Sequence, residues 1–91
     1  MLDVREIKIK KLKMRSMRRG IKEMDVILSY YSELCLEKMS GVNLDLYSDL
    51  LFENDQDLYR WCSGQEVPKE KYSAIITEIR DILKAKKFNY H

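Results

Sequence analysis

The spacing of apolar residues constrains this chain more than any other feature. Gly20, Gly41, Gly64 and Pro68 cut it into helix-sized pieces, because neither residue type sits comfortably inside a helix. Between Gly20 and Gly41, residues Met24, Ile27, Leu28, Tyr31, Leu34, Cys35 and Met39 recur at the +3/+4 interval of one helical face, which predicts an amphipathic helix over 21–38. After Pro68 the residues Tyr72, Ile75, Ile76, Ile79, Ile82 and Leu83 make the cleanest stripe. Pro68 is expected in the first turn of that helix, with Lys84, Lys86 and Lys87 favouring its C-terminal dipole.

The other pieces are shorter. The chain over 4–18 reads as a basic helix whose Ile9, Leu12 and Ser16 share a weak apolar face, with Lys and Arg stems covering the rest. Asn43 is expected to cap a third helix that buries Leu44, Tyr47, Leu50 and Leu51 and ends near Asn54. Asp55 is expected to cap a fourth over 56–63, burying Leu58, Trp61 and Cys62 and stopping at Gly64 in a left-handed C-terminal position. Only Ile7-Lys8-Ile9-Lys10 alternates as a strand would. The expected fold is all-α, a compact bundle of five short helices in a single domain over 1–91, with its core at about 4–85 and a frayed tail at 86–91.

A chain of 91 residues hides roughly 65% of its unfolded surface, enough for a thin core but not for a deep enzyme cleft. Its apolar runs fall far short of the roughly 18 residues that cross a bilayer, so membrane insertion is not expected. The basic N-terminal stretch lacks the apolar run of a secretory signal, and Asp3 and Glu6 speak against a mitochondrial presequence. Cys35 and Cys62 have neither zinc spacing nor a disulfide framework and read as small hydrophobes. The single histidine, His91, is the last residue, which removes histidine-based catalysis or metal binding.

A net charge of +2 conceals an uneven distribution. Residues 1–22 carry +7, residues 23–66 carry −8 and the remainder +3. The basic first segment either attracts an acidic partner or packs against the acidic middle of its own chain. Nucleic acid is not an expected partner, since the basic stretch has no aromatic residue to stack bases. Asp55, Asp57 and Glu66 match positions 1, 3 and 12 of a calcium loop, but Arg60 stands where that loop needs glycine. No phosphate-cradling glycine loop and no activated nucleophile is present, so no catalytic, cofactor-binding or metal-binding residue is assigned.

The most informative segment is Arg18-Arg19-Gly20-Ile21-Lys22-Glu23. Gly20 is expected to take a φ that other residues resist, turning the chain so that Arg19 and Glu23 leave the same corner. The two charges either pair with each other or offer a partner both a cationic fork and an acceptor. Trp61 reads as core, whereas Tyr59 and Arg60 point elsewhere and are available to a partner.

Arg15-Ser16, then Arg18-Arg19-Gly20-Ile21-Lys22-Glu23-Met24-Asp25, then Leu50-Leu51 and Asp55-Gln56-Asp57-Leu58-Tyr59-Arg60-Trp61, with Gly64 and Pro68, resemble the flavinylation factors of succinate dehydrogenase, called SdhE in bacteria and assembly factor 2 in mitochondria. The likeness runs from about Leu12 to Leu83 and rests on an RGxxE corner and a D-x-D-L-[FY]-x-W segment. Met17, Met24 and Cys62-Ser63 depart from the pattern. The resemblance implies a five-helix bundle and no enzyme. Such a protein binds the flavoprotein subunit of succinate dehydrogenase, often also of fumarate reductase, and promotes covalent attachment of FAD to a client histidine. It places Arg19, Gly20 and Glu23 at the functional corner, Arg18 and Asp25 beside it, and Tyr59 and Trp61 supporting or flanking the interface. FAD would belong to the client, with none bound stably by this chain. The expected location is the bacterial cytoplasm, or the mitochondrial matrix in a eukaryote. A small basic RNA-binding protein and a generic helical adaptor are the alternatives.

Overall fold

Asp3 opens the first helix by accepting the Glu6 amide at 2.7 Å, which satisfies one of the amides that a helix start leaves without a partner. This computed structural model describes residues 3–86. Five α-helices follow in order: α1 (Val4–Ser16), α2 (Lys22–Cys35), α3 (Gly41–Leu50), α4 (Asp55–Cys62) and α5 (Ser73–Lys86). Short 3-10 turns at Leu36–Lys38 and Glu70–Tyr72 join α2 to α3 and lead into α5. There is no strand among the described residues, and the alternating tetrad at 7–10 lies inside α1. The all-α, five-helix expectation is met.

Two helix starts differ from those expected because two residues compete for the same capping role, and other helix ends differ for reasons of their own. Ser40, not Asn43, caps α3, its hydroxyl accepting the Asn43 amide at 3.1 Å. Asn54, not Asp55, caps α4, accepting the Gln56 amide at 2.7 Å. α1 stops at Ser16 rather than residue 18, because Met17 turns extended and Arg18 takes a left-handed φ of 57°. α2 stops at Cys35, and the tighter turn after it rotates Leu36 fully into the core while Leu34 stays 44% exposed. Pro68 lies ahead of the 3-10 turn rather than in the first turn of α5, and Tyr72 reaches the core from that turn. Gly64 does end α4 with a φ of 82°. Of the expected tail, Lys86 ends α5, while Lys87 and His91 lie outside the described residues.

α2 is the central element and packs against α1, α4 and α5. Met24, Ile27, Leu28, Tyr31 and Leu36 meet Leu44, Tyr47 and Leu50 of α3, Leu58 and Trp61 of α4, and Ile76 and Ile79 of α5 in one buried cluster. α1 adds only Ile9, Leu12 and the Ser16 hydroxyl. Ser16 donates to the Leu12 carbonyl at 2.8 Å and shares a 2.6 Å hydrogen bond with Tyr47, so both buried hydroxyls are satisfied.

The rest of the grip on α1 is polar, and here the charge blocks find their use. Lys8 pairs with Asp45, and Lys13 with Glu37 at 3.3 Å. Arg5 reaches the Glu37 and Met39 carbonyls, and Arg15 the Ser48 hydroxyl and carbonyl. The basic first segment thus packs in part against the acidic middle of its own chain.

Candidate partner-binding corner

Between α1 and α2 the chain makes a corner whose shape is set by two carboxylates. Asp25, in the first turn of α2, accepts the Arg18 amide at 2.8 Å and so holds the left-handed residue in place. Asp55, the first residue of α4, uses both oxygens: Oδ1 accepts Arg19 Nε at 2.8 Å, and Oδ2 accepts the Gly20 amide at 2.7 Å. The Arg19 guanidinium also donates to the carbonyls of Arg15 and Leu51, each at 3.0 Å. With side chains only 11% and 18% exposed, Arg19 and Asp55 form a shielded, charge-assisted pair.

Three expectations change here. Arg19 does not pair with Glu23 but with Asp55. Its charge is therefore neutralised within the chain rather than displayed. Gly20 is not the residue in the left-handed region; Arg18 is. Glycine at position 20 allows the close approach, because a Cβ there would lie 3.1 Å from Asp55 Oδ2 and the carboxylate would have to give way slightly. Arg60 is not free either: it pairs with Asp57 and lies 3.8 Å from Glu66.

What the corner leaves available is a smaller set. Gly20 and Arg18 are exposed and Glu23 is half-buried. Among the described residues, the Arg18 guanidinium and the Glu23 carboxylate make no hydrogen bond or ion pair with another side chain. A half-buried carboxylate without a donor is an acceptor waiting for one.

The α4 residues stand behind the corner. Trp61 is 4% exposed, stacks obliquely on Tyr72 and donates from its indole N–H to Glu66 at 3.2 Å. It belongs to the core, as expected. Tyr59 is half-buried and packed on that core rather than standing free. The corner thus gathers Arg18, Arg19, Gly20, Glu23 and Asp25, while Tyr59 and Trp61 lie on α4, the helix that sends Asp55 into it. Asp55 is the site residue missed in the sequence. Read alone it is a helix cap, and its partners lie 35 and 36 positions away.

Nothing else in the described residues has the makings of a reactive centre. No group of three or more metal-ligating side chains occurs among them, and the three carboxylates of the calcium-like spacing are each engaged by Arg19, Arg60 or Trp61. Burial pushes the Cys62 thiol up to about 12 and raises Cys35 as well, so neither supplies a thiolate near neutral pH. No helix among the described residues is long and apolar enough to cross a membrane.

Comparison with known proteins covers this same region. The family model described as the flavinator of succinate dehydrogenase matches residues 10–83, from mid-α1 through the corner and α4 into α5. A mitochondrial succinate dehydrogenase assembly factor 2 from Schizosaccharomyces pombe is 35% identical over 72 residues, 79% of this chain and 52% of the relative. FAD assembly factors SdhE from Francisella tularensis and Legionella pneumophila are 34% and 31% identical, over 81% and 70% of this chain and 76% and 81% of theirs. The chain spans about half the length, or less, of the fungal relatives it matches. With the matched range spanning every residue that shapes the corner, the chain belongs to the flavinator of succinate dehydrogenase family.

Proposed function

We propose that this protein is a non-catalytic assembly factor that binds the flavoprotein subunit of succinate dehydrogenase and promotes covalent attachment of FAD to it, fumarate reductase being a second client of the same kind. The observation that carries this reading is the family match over residues 10–83, which contains the whole corner. The printed names of the bacterial relatives, FAD assembly factors, point the same way.

The corner supports a binding role rather than a chemical one. Arg18, Gly20 and Glu23 offer a cation, an open backbone and an unpaired acceptor, held on a rigid turn. Arg19 and Asp25 hold that turn, and Tyr59 and Trp61 back it through α4. Flavin linkage makes a ring methyl electrophilic as negative charge builds on the isoalloxazine, and the client's own groups can stabilise that charge once its domains are held in register. The chain acts as a clamp on the client, and the FAD stays with the client. Its working place is the bacterial cytoplasm or the mitochondrial matrix, where such clients mature.

Co-expression with a succinate dehydrogenase flavoprotein subunit tests this directly. Covalent flavin fluorescence on a denaturing gel should rise with the wild-type chain and fall to the background level with Glu23→Ala, while helix content stays unchanged. Equal fluorescence with and without the chain would refute the reading. Binding of nucleic acid with a steep salt dependence, indifferent to Glu23→Ala, would favour the RNA-binding alternative instead.

A further inference from the structure

The corner lies outside regular secondary structure, yet it is not loosely held. Residues 17–21 contribute no helical hydrogen-bond ladder of their own. Five hydrogen bonds described above hold them: the Arg18 amide on Asp25, Arg19 Nε on Asp55, the Arg19 guanidinium on the Arg15 and Leu51 carbonyls, and the Gly20 amide on Asp55. Two of the five end on one carboxylate, Asp55, which arrives from a different helix. The Gly20 amide belongs to an exposed residue, and Asp55 is its acceptor. Because Asp55 sits in the first turn of α4 while its acceptor oxygens face α1 and α2, it ties the position of the corner to the position of α4.

We propose that Asp55 is the positioning residue of the binding corner: its carboxylate imposes the conformation of residues 18–20 that the flavoprotein subunit recognises, without itself touching the partner. The inference rests on the binding role proposed above and adds to it the element that makes the corner competent. Fixing each backbone residue costs conformational entropy, so a segment ordered before the encounter binds more tightly than one ordered during it. Glycine at position 20 fits the same logic, since a side chain there would push the carboxylate away.

Asp57 supplies the control. Both aspartates lie in the first turn of α4, so changing either to Asn removes a similar favourable charge from the helix start, but Asp57 faces Arg60 and not the corner. Affinity of the purified chain for a succinate dehydrogenase flavoprotein subunit, measured by calorimetry, should fall about tenfold for Asp55→Asn, equivalent to about 1.4 kcal/mol, and stay within about twofold for Asp57→Asn. In a Glu23→Ala background the further loss from Asp55→Asn should fall short of additivity, since both act through one corner. Amide exchange gives a readout independent of the partner: the Gly20 N–H should be protected in the wild-type chain and lose that protection in Asp55→Asn but not in Asp57→Asn. Should Asp55→Asn fail to fold at the assay temperature, Asp55→Glu, which keeps the charge but displaces the carboxylate by one methylene, takes its place with the same expectations.

Equal affinity losses for the two asparagine variants, an unchanged affinity for Asp55→Asn, or an unprotected Gly20 amide in the wild-type chain would each overturn the inference. A wild-type chain that binds no flavoprotein subunit while its Gly20 amide is protected would instead refute the proposed function and leave the latch standing.

Discussion

At the scale of single residues, a handful of side chains have consequences out of proportion to their size. Gly20→Ala should cost no more than about 1 kcal/mol of stability, since Asp55 needs to yield only slightly. Gly20→Arg should abolish flavinylation in the co-expression assay, because a long side chain at 3.1 Å from the carboxylate displaces the latch. Removing Arg19 leaves the shielded Asp55 carboxylate without its cation and with only the Gly20 amide as donor, so Arg19→Ala should lower stability by about 3 kcal/mol, near the low end for breaking a buried pair, as read by urea denaturation. The Ser16–Tyr47 pair behaves differently. Ser16→Ala strands the buried Tyr47 hydroxyl at about 1–2 kcal/mol, Tyr47→Phe should cost less because Ser16 still donates to the Leu12 carbonyl, and the double variant should lose less than their sum. None of these pairings was legible in the sequence. Local spacing sets Arg19 and Glu23 four apart and offers them to each other, but the partner that Arg19 takes stands 36 residues away.

At the scale of elements, what could be read was the phase of each helix, and what could not was where it ends. The stripes of α2 and α5 were legible because burial of one face depends only on the 3.6-residue repeat. Met24, Ile27, Leu28 and Tyr31, and Ile75, Ile76, Ile79 and Leu83, are buried as their spacing requires. Leu34 was expected on the buried stripe and is exposed, and Leu36 was missed because the chain tightens after Cys35, and nothing local announces that change of pitch. The caps shifted by one to three residues because Ser40 and Asn43, or Asn54 and Asp55, can each serve, and Asp55 is held elsewhere by Arg19. Asn54→Ala should therefore cost about 1 kcal/mol by thermal denaturation while leaving client binding intact, which separates the cap of α4 from its latch. The entry to α2 has no side-chain cap of its own at Ile21. Asp25 restrains it instead by holding the Arg18 amide, so the corner and the start of α2 form one structural unit.

At the scale of the whole molecule, ionisation of buried groups predicts how stability responds to alkali. Cys62 is raised from an ordinary 9.0 to about 12 by burial, and burial also lifts the Tyr31 and Tyr47 hydroxyls well above their ordinary 10.0. All three are neutral in the folded chain at pH values where the unfolded chain already ionises them. Their contribution is therefore complete below about pH 9 and is lost as pH rises toward the folded values, so the urea midpoint should be flat from neutrality to about pH 9 and fall above it. A second global property follows from how unevenly the helices are anchored. Helices α2 to α5 share an apolar interior, but α1 contributes two aliphatic side chains and relies on Arg5, Lys8, Lys13 and Arg15 for the remainder. Ionic screening weakens the second kind of anchorage and spares the first. In concentrated salt the N-terminal helix should then detach before anything else melts, and limited trypsin digestion would trim it away to leave a shortened, still folded remnant.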